Sequence, residues 1–258
     1  MRNFRLNVRK EPTEHDFMPT MDVLLLDGDD QRPMVIVVPG GGYVTVCDDE
    51  KTMMQYSAAG FHTAILNYSV VPHLFPEALI DLAGAVRLIR EHAEEWHVSH
   101  VILCGFSAGG HLCASLATLW NNEELLGDTK GLRPDGCILL SAVLTKKLDH
   151  CRDFLDALAG REEYKDLVAC DEMVSDETPP AFLYGTYEDQ LGNYENSLYY
   201  AEALGRHKIP FELHIFPKGE HGAPWCDETI WSLPHNSGRN YHMIDLSIEW
   251  LNEIFIKK

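Results

Sequence analysis

The sequence predicts an α/β fold, in which a mostly parallel central sheet carries helices on both faces. Two observations support this. Short, valine-rich runs alternate with helix-compatible segments along the chain, and these runs are apolar at nearly every position. Strands that are buried on both faces have this near-continuous apolar pattern, and parallel strands need helical crossovers between them. With 258 residues, 45% of them hydrophobic, the chain can bury one sizeable core, so we predict a single domain over residues 1–258.

The predicted elements follow one another in regular order. Strands are placed at short apolar runs bounded by Gly, Pro or Asp, namely 23–26, 34–38, 62–68, 101–104, 137–143, 181–184 and 211–216. Helices are placed where apolar residues recur with a period near 3.6, namely 79–89, 194–204 and 243–254. In sheets of this kind ligands bind beyond the carboxyl ends of the strands, so the loops at those ends are the place to look for a site.

Charge and composition exclude several function classes. Lys and Arg number 21 against 40 Asp and Glu, which gives a formal net charge of −19. Such an acidic chain is not attracted to a phosphate backbone or an anionic membrane, so we expect no nucleic-acid partner and no membrane partner. No run approaches the roughly 18 apolar residues of a membrane span, and residues 1–14 contain no apolar signal segment.

Seven cysteines without a CxxC pair indicate a reducing compartment, and we expect a cytoplasmic protein.

The run GFSAG at 105–109 directly follows the predicted strand 101–104 and precedes a helix-compatible run. A turn this tight between strand and helix requires glycine two residues before and two residues after the serine. It exposes the hydroxyl above the sheet, close to a helix N-terminus. Ser107 is therefore the candidate nucleophile. The alternative interpretation is an ordinary helix N-cap in a glycine-rich turn.

A serine hydroxyl is a weak nucleophile without a base and a group that orients the base. His221 is the candidate base, because it follows the predicted strand 211–216 within the run KGEHG. The acid is expected on the loop after the penultimate strand, where two acids are adjacent. Asp189 is the candidate and Glu188 the alternative, although loop carboxylates are usually only solvated. The chain order Ser, Asp, His is that of a hydrolytic triad.

The run PGGGY at 39–43 follows the predicted strand 34–38. Consecutive glycines allow backbone N–H groups to point into a cavity, which suits the negative charge that develops on a carbonyl oxygen under attack. We assign the N–H groups of Gly41, Gly42 and Ala108 to such an oxyanion hole. The alternatives are a flexible turn or a phosphate cradle, although neither GxGxxG nor GxxxxGK[ST] occurs. The spacing of His and Cys matches no metal site.

Four segments together resemble the α/β-hydrolase superfamily: PGGGY at 39–43, GFSAGGHL at 105–112, PPAFLYGTYED at 179–189 and PFELHIFPKGEHG at 210–222. Within it, the sequence is similar to the small carbohydrate esterase branch, which includes acetylxylan esterases and bifunctional acetyl/feruloyl esterases. The resemblance covers nearly all of the chain from about Met21 onward. It implies an α/β-hydrolase fold, the triad Ser107, Asp189 and His221, and no metal or organic cofactor. With 258 residues, we expect no large cap domain.

The residues and the resemblance together predict a serine esterase that removes short acyl groups, acetyl foremost, from an acylated sugar or oligosaccharide. Tyr43, Tyr187, Trp225 and Trp231 lie near the loops that form the site and are candidates for stacking on sugar rings. Their alternative role is ordinary packing. The charged segment 144–178 is expected to roof part of the site and to set substrate preference.

Two rival functions stay open. An amidase, an arylformamidase or a small serine peptidase would use the same triad, and a non-catalytic binding protein of the same fold would use none of it. The acid loop departs from the resemblance, because it continues as Gly192-Asn193 where relatives commonly have Val-Pro. The oxyanion loop begins with Pro39, where many lipase-type relatives have histidine. The sequence leaves the oligomeric state open, a homo-oligomer included.

Overall fold

An eight-stranded sheet forms the centre of the protein. The computed structural model describes residues 1–221 and 242–256. The strands are β1 Arg2–Asn7, β2 Thr20–Leu25, β3 Arg32–Val38, β4 His62–Asn67, β5 Val98–Phe106, β6 Gly136–Leu140, β7 Ala181–Thr186 and β8 Phe211–Phe216. Their order is β1-β2-β4-β3-β5-β6-β7-β8. Strands β1 and β2 pair antiparallel with their neighbours, and all pairs from β4 to β8 are parallel. The predicted mostly parallel α/β sheet is confirmed.

Helices cover both faces of this sheet. They are α1 Glu50–Ala58, α2 Glu77–Glu91, α3 Ala108–Leu119, α4 Glu123–Leu126, α5 Asp149–Ala159, α6 Glu195–Arg206 and α7 Met243–Leu251. Along β5, Val101 and Leu103 pack in the core with α2, α3 and α6, whereas Ile102 and Cys104 pack in a second core with α1 and α7. This alternation explains why the strand is apolar at every position. Within the described ranges no helix has the length and apolar character needed to cross a membrane.

Two differences between the observed and the predicted strands have a clear physical reason. β1 lies outside the predicted strands, since its sequence RNFRLN is charged and lacks an apolar run. Among the described strands it is an edge strand and pairs with β2 alone, and edge strands commonly carry charge towards water. β6 ends at Leu140, three residues before the predicted end at Val143. The chain leaves the sheet there because Ser141 has a φ of 45°, which is not a strand conformation.

Helix α3 begins directly after the turn that follows β5, and every residue of it is buried. Gly109 in its first turn allows the close approach to the sheet, because a Cβ at this position would lie 1.9 Å from the carbonyl oxygen of Val38 and 2.5 Å from that of Pro39. A side chain here would push the helix away from the end of β3. The second glycine of GFSAG is therefore required by the packing of α3 on the strand that leads into PGGGY.

We expect Gly109→Ala to lower the free energy of unfolding by about 2 kcal/mol or more, because the added methyl group overpacks a contact with backbone. Gly205→Ala is the matched control, since Gly205 is an exposed glycine in α6, and among the described residues its Cβ would meet Phe211 alone, at 3.8 Å. This control is expected to be neutral or to stabilise by roughly 0.5 kcal/mol. Urea unfolding of both variants measures the difference, and equal effects would contradict the packing argument.

Candidate active site

The candidate site residues lie on loops at the carboxyl ends of β3, β5, β7 and β8. Strand β6 lies between β5 and β7, so a residue that follows β7 must cross the end of β6 to reach the serine after β5. Gly192 makes this crossing, because a Cβ there would lie only 2.2 Å from the carbonyl oxygen of Ser141. Valine, like any residue with a side chain, does not fit at this approach, so glycine is required here.

Ser107 occupies the sharp turn between β5 and α3. Its φ of 53° and ψ of −118° are rare for a residue with a side chain. Backbone hydrogen bonds hold this conformation on both sides: the N–H of Ser107 donates to the carbonyl of Leu140 at 2.9 Å, and its carbonyl accepts from the N–H of His111 at 3.0 Å. The hydroxyl makes no capping hydrogen bond to α3 and lies 2.9 Å from Nε2 of His221. This geometry disagrees with the N-cap alternative.

His221 connects the serine to a buried carboxylate. Its Nδ1 lies 2.9 Å from Oδ2 of Asp189 and 3.0 Å from Oδ1. A carboxylate accepts, so Nδ1 carries the hydrogen and Nε2 is left to accept from the Ser107 hydroxyl. Oδ1 of Asp189 also accepts from the N–H groups of Leu191 at 2.9 Å and Gly192 at 2.8 Å. Burial opposes ionisation of Asp189, but His221 and these N–H groups outweigh it and hold the pKa of the carboxyl below its ordinary value.

The alternative acid, Glu188, makes different contacts. Its Oε1 lies 2.5 Å from Nζ of Lys218, and its Oε2 accepts from the N–H of Gly219 at 3.2 Å. Glu188 therefore joins the loop after β7 to the loop after β8, which carries His221. Among the described contacts of His221, the carboxylate that reaches its ring is that of Asp189.

The PGGGY loop lies against the serine turn, since a Cβ at Gly40 would be 3.3 Å from Cβ of Ser107. Within residues 1–221 and 242–256, the N–H groups of Gly41, Gly42 and Ala108 have no protein acceptor. The N–H groups of Gly41 and Gly42 lie on the loop just before Tyr43, and the N–H group of Ala108 lies at the first residue of helix α3. Unpaired N–H groups on two segments beside a serine hydroxyl are suited to bind an oxyanion.

A cavity of about 450 Å³ opens at Ser107. This volume lies in the range of small-molecule sites. Beyond the glycine loop, Ser107 and His221, the described lining is mostly apolar and consists of Cys47, Phe106, Val143, His150, Cys151, Phe154 and Leu191. Helix α5 belongs to segment 144–178 and supplies three of these side chains, which the sequence did not single out. No cluster of His, Cys, Asp or Glu able to hold a metal ion occurs in the part of the chain that the structure describes.

Tyr43 contradicts the expectation that it stacks on a sugar ring. Its side chain is only 5% exposed, and its ring packs at 5.9 Å from that of Tyr68 and at 6.3 Å from that of Phe154. Its hydroxyl is hydrogen-bonded to Nδ1 of His111 at 2.8 Å. The ring therefore has no free face for a substrate, because the loop folds it inward against helix α3.

The other aromatic residues predicted to stack on sugar rings are Tyr187, Trp225 and Trp231. Tyr187 is 64% exposed, and its ring centroid lies 5.3 Å from that of Tyr194, outside the cavity lining. A contact between Tyr187 and substrate stays a prediction. Trp225 and Trp231 lie outside the described residues.

Comparisons with known sequences agree with this architecture. Residues 21–145 match the BD-FAE family. The chain is 34% identical over 255 residues to endo-1,4-beta-xylanase B of Butyrivibrio fibrisolvens, an alignment that covers 90% of this chain and 40% of that protein. It is 28% identical over 208 residues to an acetylxylan esterase of Xylanibacter ruminicola, covering 73% and 40% respectively. The chain thus spans about two fifths of the length of the curated relatives it matches.

One solved structure is similar to this chain over nearly the whole length of both proteins. It is the acetyl ester-xyloside bifunctional hydrolase from Caldicellulosiruptor lactoaceticus, with 29% identity and a TM-score of 0.83. The match covers 98% of this chain and 97% of that chain, so the two proteins share a fold. This chain is a member of the α/β-hydrolase superfamily, and its residues 21–145 match the BD-FAE family.

Proposed function

We propose that this chain is a serine carboxylic-ester hydrolase that removes short acyl groups, acetyl foremost, from a small carbohydrate-type ester. The observation that carries the proposal is the chain of contacts from Asp189 through His221 to the hydroxyl of Ser107, which opens into the cavity. Acyl transfer needs a nucleophile, a base and an orienting acid in this arrangement. The names of two relatives, an acetylxylan esterase and an acetyl ester-xyloside hydrolase, support an acetylated sugar as the substrate class.

The proposed reaction begins when Nε2 of His221 takes the proton of Ser107 as Oγ attacks the ester carbonyl carbon. The electron pair of the carbonyl moves onto its oxygen, and the N–H groups of Gly41, Gly42 and Ala108 bind the resulting oxyanion. Each such donor typically stabilises the transition state by on the order of 3 kcal/mol. When the intermediate collapses, the bond to the leaving alcohol breaks, and His221 gives its proton to that alcohol.

Water then releases the acyl group from the acyl-enzyme. His221 takes a proton from the water molecule while the water oxygen attacks the acyl carbon. When the carboxylic acid leaves, His221 returns the proton to Oγ of Ser107. Asp189 does not take the proton. It orients the ring and stabilises the imidazolium, and its lowered pKa keeps it ionised while it does so.

The cavity lining supports an assignment of the two ends of the substrate. Val143, Phe154 and Leu191 present hydrocarbon, which cannot satisfy the hydroxyl groups of a sugar. We therefore place the acyl group against this apolar wall and the sugar at the open rim of the cavity. Helix α5 closes one side of the wall, so we expect turnover to fall as the acyl chain becomes longer.

The first test is hydrolysis of p-nitrophenyl acetate, butyrate and octanoate by the purified protein and by Ser107→Ala. We expect acetate to be turned over fastest, with a steep fall towards octanoate. The Ser107→Ala variant is expected to lose at least about 1,000-fold in kcat, because no other group supplies the attacking oxygen. A fluorophosphonate probe is expected to label the parent protein and not the variant.

The same experiment separates the rival functions. Turnover of a formamide or an anilide with no turnover of esters would contradict the esterase proposal and favour the amidase alternative. Ester turnover that persists in Ser107→Ala would show that a different residue is the nucleophile. Absence of both labelling and turnover would favour a binding protein. Acetylated xylo-oligosaccharides, assayed for released acetate, then test the proposed substrate class directly.

A second test uses two adjacent carboxylates. Asp189→Asn preserves the shape of the side chain, but its amide can donate to His221 and favours the wrong tautomer, so we expect kcat to fall by about 1,000-fold or more. Glu188→Gln is the matched control, because the described contacts of Glu188 include Lys218 and Gly219 on the neighbouring loop, whereas the described carboxylate contact of His221 is with Asp189. We expect this control to keep kcat within about threefold, as for a half-exposed ion pair. A larger loss in Glu188→Gln than in Asp189→Asn would reverse the assignment of the acid.

A further inference from the structure

A buried pair of side chains connects the two segments that carry the candidate oxyanion donors. The hydroxyl of Tyr43 lies 2.8 Å from Nδ1 of His111, and Nε2 of His111 lies 2.9 Å from the carbonyl oxygen of Val168. A carbonyl only accepts, so Nε2 carries the hydrogen and Nδ1 accepts from the tyrosine hydroxyl. Burial lowers the pKa of His111 to about 4, so its ring is neutral near pH 7 and this hydrogen-bond pattern is kept.

The two residues belong to the two segments that carry the proposed oxyanion donors. Tyr43 directly follows Gly42, and its φ of 58° turns the chain inward at this point. His111 lies about one helical turn after Ala108 on α3, and its own N–H donates to the carbonyl of Ser107. The hydrogen bond between the two side chains therefore ties the end of the glycine loop to the helix that begins at the nucleophile.

Other contacts hold the loop at different points. The hydroxyl of Tyr68 donates to the carbonyl of Pro39 at 2.7 Å, which fixes the start of the loop. The carbonyl of Tyr43 accepts from the N–H of Val71 at 2.8 Å, which joins its end to the segment after β4. Within the described ranges, the side-chain hydrogen bond that joins the loop to α3 is the one between Tyr43 and His111.

We infer that Tyr43 and His111 are positioning residues of the proposed oxyanion hole. They set the distance between the N–H groups of Gly41 and Gly42 on the loop and that of Ala108 on the helix. Neither side chain touches the substrate, and the inference rests on the proposed ester hydrolysis. Oxyanion donors act at roughly 2.7–3.1 Å from the charge that develops in the transition state. A small displacement of the loop therefore weakens binding of the transition state more than binding of the substrate.

The test is Tyr43→Phe, which keeps the ring and removes the hydroxyl. We expect kcat for p-nitrophenyl acetate to fall by about 10- to 100-fold, the scale of a displaced catalytic geometry, while KM stays within about twofold. The affinity for phenylboronic acid, which forms a tetrahedral anionic adduct with an active serine, is expected to fall in parallel with kcat. A residue that only stabilises the fold would not change the boronate affinity and kcat together while leaving KM unchanged.

Two further comparisons separate positioning from general stability. Tyr56→Phe is the matched control, because Tyr56 is equally buried but lies in the core on the other face of the sheet, where its hydroxyl contacts Ser247 at 2.7 Å. It is expected to lower the midpoint of urea unfolding and to leave kcat unchanged. His111→Asn keeps an acceptor close to the position of Nδ1, so it is expected to retain more of kcat than His111→Leu.

The outcomes distinguish this inference from the proposed function. If Tyr43→Phe keeps kcat and boronate affinity within twofold of the parent, the positioning role is wrong while ester hydrolysis stands. An equal loss of kcat in Tyr56→Phe would also overturn the positioning role, since it would trace the loss to stability. If the parent protein itself shows no turnover that depends on Ser107, both the inference and the proposed function fall.

Discussion

The close packing of two backbones determines where the site forms. Helix α3 approaches the end of β3 so closely at Gly109 that no side chain fits between them. The helix must therefore start directly after β5, and Ser107 is left in a conformation that residues with a side chain rarely adopt. Hydrogen bonds to Leu140 and His111 hold this strained turn in place. Because β3 continues into PGGGY, the same contact brings the candidate oxyanion donors beside the serine hydroxyl.

A second constraint is the distance across the sheet. The candidate acid follows β7, and the serine follows β5, with β6 between them. The early end of β6 and the close approach of Gly192 to Ser141 allow the acid loop to cross this gap. The crossing buries the carboxylate of Asp189, which costs solvation energy. His221 offsets that cost, and the N–H groups of the crossing loop add to this, so the loop that brings the acid into reach also helps to keep it charged.

Features that follow local rules were predictable from the sequence. GFSAG after an apolar strand indicates the serine turn, and the order of the other motifs places the histidine and the acid loop at the same edge. Features that depend on contacts between residues distant in sequence were not predictable. Glu188 and Asp189 are adjacent in the chain, and only the fold shows that one contacts Lys218 and the other His221. The burial of Tyr43 depends on a hydrogen bond to a residue 68 positions away, which no local pattern indicates.

The burial of Tyr43 also links two parts of the site that the sequence treats as separate. Its ring packs against Phe154 of α5, which lines the apolar wall proposed for the acyl group, and its hydroxyl binds the helix that carries the nucleophile. A side chain of the proposed acyl wall therefore packs against the residue that we propose positions the oxyanion loop. On these assignments, acyl preference and oxyanion geometry are coupled through Phe154 and Tyr43. A change at Phe154 that enlarges the wall for longer acyl groups also removes support from Tyr43, so a broader acyl range is expected to come with a lower kcat.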